Sequence, residues 1–177
     1  MYIFSNPHIS NATSADIPVI RDLLNSAYRG ESSKEGWTTE AHLIAGNVRT
    51  DDANVQQTME LPGSIFLKYT NEKNEIIGCV NLQRRGEKMY LGMFSVSPKL
   101  QGGGIGKELL KASEEYTKHA QCISIYMSVI SVREELINWY QRHGYKDTGN
   151  RQVFIEDDVS GKHLQELEFM VLEKFVQ

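Results

Sequence analysis

Between residues 14 and 28 the apolar positions Ile17, Ile20, Leu23, Leu24 and Ala27 fall on one face of a 3.6-residue turn. Behind a Thr13 or Ser14 cap, that spacing predicts an amphipathic helix. The same spacing returns at Ile105, Leu109, Ala112 and Tyr116, for a helix over 107–119. It returns again at Val132, Leu136 and Ile137, for a helix over 132–142 closed by His143-Gly144. Alternating runs rich in β-branched and aromatic residues predict seven strands, at 8–13, 64–70, 76–83, 88–96, 122–130, 145–155 and 166–175. Residues 30–36 read as a polar loop. A threonine of Trp37-Thr38-Thr39-Glu40 then caps a second, short helix. The resulting order is β-α-α-β-β-β-α-β-α-β-β, with no internal repeat and no low-complexity linker.

Composition narrows the class. A chain of 177 residues with 40% apolar content can bury one substantial core, so residues 1–177 are read as a single domain. No run of eighteen apolar residues is present to span a membrane, and the N-terminus lacks the basic and apolar regions of a signal peptide. A cytoplasmic enzyme is therefore expected. Cys79 and Cys122 lie inside predicted strands and are expected as buried reduced thiols, with no metal site. A net charge of −4 argues against nucleic acid, which needs a basic face. A polyanionic ligand must then be held locally, and Lys99, Lys107 and Lys111 flank the segment best suited to it.

That segment is Gln101-Gly102-Gly103-Gly104-Ile105-Gly106-Lys107, between a strand and a helix. Four glycines in five residues leave backbone N–H groups uncovered at the positive end of a helix, which is a place for phosphate. A Walker A loop needs a glycine with four residues between it and Gly-Lys, then Ser or Thr. Here Gln101 and Glu108 occupy those two positions. A dinucleotide fingerprint started at Gly102 or Gly104 places its third glycine on Lys107 or Leu109. Both nucleotide motifs fail.

Gln101, Gly104 and Gly106 do fit Gln-x-x-Gly-x-Gly, and this resembles the acetyl-CoA segment of the GNAT family of N-acetyltransferases. Some 35 residues on, Trp139-Tyr140-Gln141-Arg142-His143-Gly144-Tyr145 is similar to that family's second signature. The resemblance implies an α/β (α+β) acyl-CoA N-acyltransferase fold. Its mixed, mostly antiparallel sheet has about seven strands, splayed at the cofactor site, with about four helices. It implies acetyl-CoA as cosubstrate, its pyrophosphate on Gly102, Gly103, Gly104, Ile105, Gly106 and Lys107 beside Gln101. The pantetheine arm would pair with the N–H groups of Phe94 and Val96. Tyr140 takes the place of the family's general acid, delivering a proton to the departing sulfur.

Two departures accompany the match. Tyr90 stands where lysine-modifying members carry a glutamate base, and Arg133 stands where many members carry an asparagine. Glu31, Glu35 and Glu40 are the carboxylates left to relay a proton through water. The family's substrate regions map to Tyr28-Arg29 and Trp37 to Glu40, with Arg151 and the acidic 156–158 loop as outliers. Trp37 is read as a wall of the amine pocket, Glu40 as partner of the ammonium, and Arg29 as suited to a carboxylate-bearing substrate. The expected reaction is direct acetyl transfer to a primary amine of a small molecule or peptide, by a monomer or homodimer. A non-catalytic acyl-CoA-binding sensor is the alternative.

Overall fold

Pro18 in its first turn starts α1 (Ile17–Tyr28), and all five positions of the expected stripe are buried. In the computed structural model, which describes residues 1–177, α1 lies on one face of a seven-stranded sheet. The strands are β1 (Ile9–Asn11), β2 (Ser64–Thr70), β3 (Ile76–Arg85), β4 (Lys88–Val96), β5 (Ser124–Ile130), β6 (Lys146–Val153) and β7 (Glu168–Phe175). Their order is β1-β2-β3-β4-β5-β7-β6. Every pairing is antiparallel except β4 with β5, whose crossover is the helix α4 (Ile105–His119). This is the acyl-CoA N-acyltransferase fold, as the sequence implied.

Period-two alternation sends successive residues to opposite faces. Phe66 and Cys79 join Ile20, Leu24 and Val55 under α1, while Leu67, Val80 and Leu82 join Leu109, Ile125 and Ile137 on the other face. That second, larger core is covered by α4 and by α5 (Glu134–Arg142). Both cysteines are buried and unpaired, and burial pushes the Cys79 thiol up to about 12.

Several local expectations are corrected. No helix follows the threonines of 37–40. The Thr39 hydroxyl accepts the Ala41 N–H at 3.0 Å, and the chain makes only a single turn there, with Glu40 O accepting from Leu43 and Ile44 N, before it extends. The helical turn lies earlier, in α2 (Gly30–Ser33), inside the expected polar loop. A further helix, α3 (Asp52–Glu60), carries a single buried residue, Val55, and is capped by Asp51 accepting from Asn54 N at 2.8 Å. Val132 is exposed and precedes α5. The buried face of α4 also includes Ser113 and Thr117. Their hydroxyls donate to Leu109 O and Ser113 O one turn back, which is how two polar residues come to lie in that core.

Candidate active site

The parallel pairing of β4 with β5 stops early. Lys88, Met89 and Tyr90 pair with Ser124, Ile125 and Tyr126, and beyond them the strands separate. A bulge explains the parting: between Cys79↔Ser95 and Asn81↔Gly92, β4 uses three steps where β3 uses two. Met93 there takes a left-handed φ of 47°. Past the bulge, Ser97 N still donates to Ile77 O on β3, so strand alternation turns the N–H groups of Phe94 and Val96 into the open V. Their carbonyls face the same way and are taken by side chains. Tyr28 Oη donates to Phe94 O at 2.6 Å, and Gln101 Nε2 to Val96 O at 3.1 Å.

Below the V, Gly102 and Gly104 hold φ of 84° and 90°, and Gly104 stands at the N-cap of α4 with no capping side chain. No protein acceptor takes the N–H groups of residues 102–107. Six donors therefore converge at the positive end of a 15-residue helix. The two key glycines serve differently. An alanine at Gly104 adopts a left-handed backbone, whereas a Cβ on Gly106 meets Phe94, Val96 and Trp139 at 3.6–3.8 Å, ordinary contact. Gly104→Ala is expected to cost about 1–2 kcal/mol of folding stability. Gly106→Ala is expected to keep or slightly raise it, because alanine is the better helix former. Thermal melts of the two variants distinguish these outcomes, and equal losses contradict the assignment.

A cleft of about 280 Å³ runs from this loop up the V, lined by Phe94, Val96, Gln101, Gly102, Gly104, Gly106 and Lys107, and by Tyr28, Trp37 and Tyr140. Gly103 and Ile105 belong to the loop but do not line the cleft. Lys99 is exposed beside Glu35. Sequence reasoning missed Leu136, Trp139 and His143 on the facing side of α5. They sit one turn or less from Tyr140, and a helical projection of α5 reaches them. The unpaired N–H groups, the glycine cradle and the cleft fit acetyl-CoA.

A second cavity of about 100 Å³ opens on the other side of the V. It includes Tyr90, Met127, Arg49 and Glu40, and shares Tyr28, Phe94, Arg133, Leu136 and Tyr140 with the first. Tyr140 thus lines both cavities. Its ring is 4% exposed, packed 6.3 Å from Phe94 and 5.8 Å from Tyr145, and its hydroxyl has no protein partner. Burial drives the phenol well above the usual tyrosine range, so it stays protonated.

The expected substrate residues are rearranged. Arg29 is turned inward and lines neither cavity. Its Nε donates to Ser160 O at 3.0 Å and its Nη1 to Glu40 Oε2. Arg133 donates to Glu40 Oε1 at 2.9 Å and to Thr38 Oγ1 at 2.6 Å. Glu40 is therefore engaged by two arginines, all three side chains at most 8% exposed, and is not free to receive an ammonium. Burial lowers the Arg29 guanidinium from its usual value, while Glu40 opposes the shift. Trp37 lines the cofactor cleft, 6.5 Å from Trp139, and not the second cavity. Glu31 pairs with Lys34, and Arg151 with Asp147, at the surface. Neither cavity holds an unengaged carboxylate.

Comparison with known proteins agrees with this geometry. The family model described as Acetyltransferase (GNAT) family matches residues 18–145. Among solved structures, ribosomal-protein-alanine N-acetyltransferase from Brucella melitensis is 19% identical with a TM-score of 0.69, over 94% of this chain and 98% of that one. The ribosomal-protein-S18-alanine N-acetyltransferase of Escherichia coli is 12% identical with a TM-score of 0.71, over 96% and 93%. The structure of yncA from Salmonella typhimurium with its cofactor acetyl-CoA is 17% identical with a TM-score of 0.68, over 96% and 93%. At such identities these likenesses concern the fold alone.

Proposed function

This chain belongs to the acetyltransferase (GNAT) family, which uses acetyl-CoA, and on that premise we propose that it is a cytoplasmic, single-domain N-acetyltransferase acting directly on a primary amine. The observation that carries this reading is that Tyr140 lines both cavities. One has the phosphate-binding loop at its far end and the other is smaller and opens on the other side of the V, so donor and acceptor approach from opposite sides of the splayed sheet. No helix is long and apolar enough to cross a membrane.

Acetyl-CoA, when bound, supplies an acetyl group activated as a thioester. The N–H groups of residues 102–107 hold its pyrophosphate, each charge-assisted bond contributing roughly 1.5–3 kcal/mol. Those of Phe94 and Val96 align the arm. Tyr140, in the wall that both cavities share, has a proton on Oη to give to sulfur. No base is supplied for the amine: Glu40 is held by Arg29 and Arg133, and Tyr90 is a half-buried phenol whose ionisation desolvation moves upward.

A pH profile follows from these charges. Only a neutral amine attacks, so kcat/KM rises with pH through the acceptor's own ionisation. The raised phenol keeps its proton at pH values where an ordinary tyrosine begins to lose it. No descending limb is therefore expected below about pH 10. A screen of amines for CoA release, with the profile measured on two acceptors of different basicity, tests this. Profiles that track the acceptors support direct attack without an enzymic base. A limb near neutrality shared by both acceptors overturns it. Absence of turnover with every amine, despite bound acetyl-CoA, leaves the sensor reading instead.

A further inference from the structure

We propose that the acceptor is a small amine bearing a carboxylate, an amino acid in the broad chemical sense, and that Arg49 receives that carboxylate. The inference rests on the second cavity being the acceptor site.

The charge balance of that cavity is one-sided. Its single carboxylate, Glu40, is shared by Arg29 and Arg133, so the buried trio carries one positive charge in surplus. Arg133, 5% exposed, lines the cavity; its Nε makes no hydrogen bond but lies 3.7 Å from Glu135 Oε1, which offsets that charge on the solvent side. Arg49 is the cation in the lining that no carboxylate pairs. Its guanidinium lies over the Tyr28 ring, 5.4 Å from the centroid, and forms no ion pair. The other carboxylate in its field, Asp157, is held by the N–H groups of Val159 and Ser160 through Oδ1 and does not line the cavity. The remaining ionisable groups facing the cavity, Tyr28, Tyr90 and Tyr140, are phenols that burial keeps neutral.

Arg49 is also fixed in place. Asn25 Oδ1, on α1, accepts the N–H groups of Arg49 and Thr50 at 2.6 and 2.9 Å, and Asn25 Nδ2 donates to Thr50 O at 3.2 Å. A half-buried, backbone-anchored arginine with an open planar fork is suited to a bidentate carboxylate. The surplus charge repels an acceptor with a second ammonium. At about 100 Å³, the cavity favours a small acceptor over a folded one.

The test compares acceptors of one skeleton: an amino acid, its carboxamide, its decarboxylated amine and its aminophosphonate. In the wild type, kcat/KM for the amino acid is expected to exceed that for the decarboxylated amine by about 10- to 100-fold. Arg49→Gln brings the ratio toward one, and Arg49→Lys restores part of it. A ratio near one in the wild type, or a ratio unmoved by Arg49→Gln, overturns the proposal. So does preference for the carboxamide, the phosphonate or a peptide N-terminus. A second arm measures amino-acid binding to the complex with desulfo-CoA, which is independent of turnover. If no amine is acetylated, the transferase reading fails. Saturable amino-acid binding lost in Arg49→Gln still upholds the anion site, and its absence from the wild type removes it.

Discussion

Replacing Tyr140 with phenylalanine is expected to lower kcat by about 10²-fold or more while leaving acetyl-CoA affinity in place, the pattern of a lost proton donor. The ring is locked by Phe94, Trp139 and Tyr145, and phenylalanine keeps all of that packing. The hydroxyl makes no internal hydrogen bond, so its removal orphans nothing and stability should hold. What is lost is a single proton in the wall that the two cavities share. Burial raises the phenol above the ordinary tyrosine range, so the wild-type side chain is protonated at every working pH, and the loss should be the same across the profile. Affinity is readable directly, because both tryptophans of the chain, Trp37 and Trp139, line the cofactor cleft. An unchanged kcat makes Tyr140 a packing residue.

Glu40→Ala is expected to destabilise the fold by about 3–5 kcal/mol, a large share of the stability of a domain this size. The variant leaves Arg29 and Arg133 buried with like charges facing each other, and burial already works against the Arg29 guanidinium. Glu40→Gln should fall in the same direction, since an amide restores hydrogen bonds but not charge. Replacing all three residues with apolar side chains of similar size should recover most of the loss. Urea unfolding measures each case, and a loss under about 1 kcal/mol in Glu40→Ala means that water reaches the trio. The trio ties the end of α1, the turn after Thr39, the start of α5 and Ser160 around the second cavity. Its importance is as a frame for the site, and the apolar triple variant should fold while losing the cavity's charge.

Much of the fold was readable because its elements obey strong local periods. The α1 stripe, the glycine loop and the seven strand runs each satisfy one spacing over many residues. α3 was missed because Val55 is its only fully buried residue, and with Met59 one turn on it makes a stripe too short to set a period. The short helix expected behind Thr38-Thr39 did not form because a threonine two residues before an N–H caps a turn as readily as a helix. At the site, the loop and Tyr140 lie within continuous motifs. Arg49 was invisible: it lies in a loop before a helix of weak pattern, and nothing local marks an arginine whose partner is a tyrosine ring twenty-one residues earlier.

The sequence by itself determined the glycine cradle at the start of α4 and the helix and strands around it, because backbone conformation and period are properties of neighbours along the chain; the kind of donor followed from the resemblance its motifs carry. Only the tertiary structure decided which charges are free. Arg29 and Glu40 read alike as candidates for a substrate until the fold buried them against Arg133. Pairing across 93 residues is settled by three-dimensional proximity and by the cost of burying an unpaired charge. The donor side of this protein was therefore written locally, and the acceptor side emerged only when distant segments closed around it.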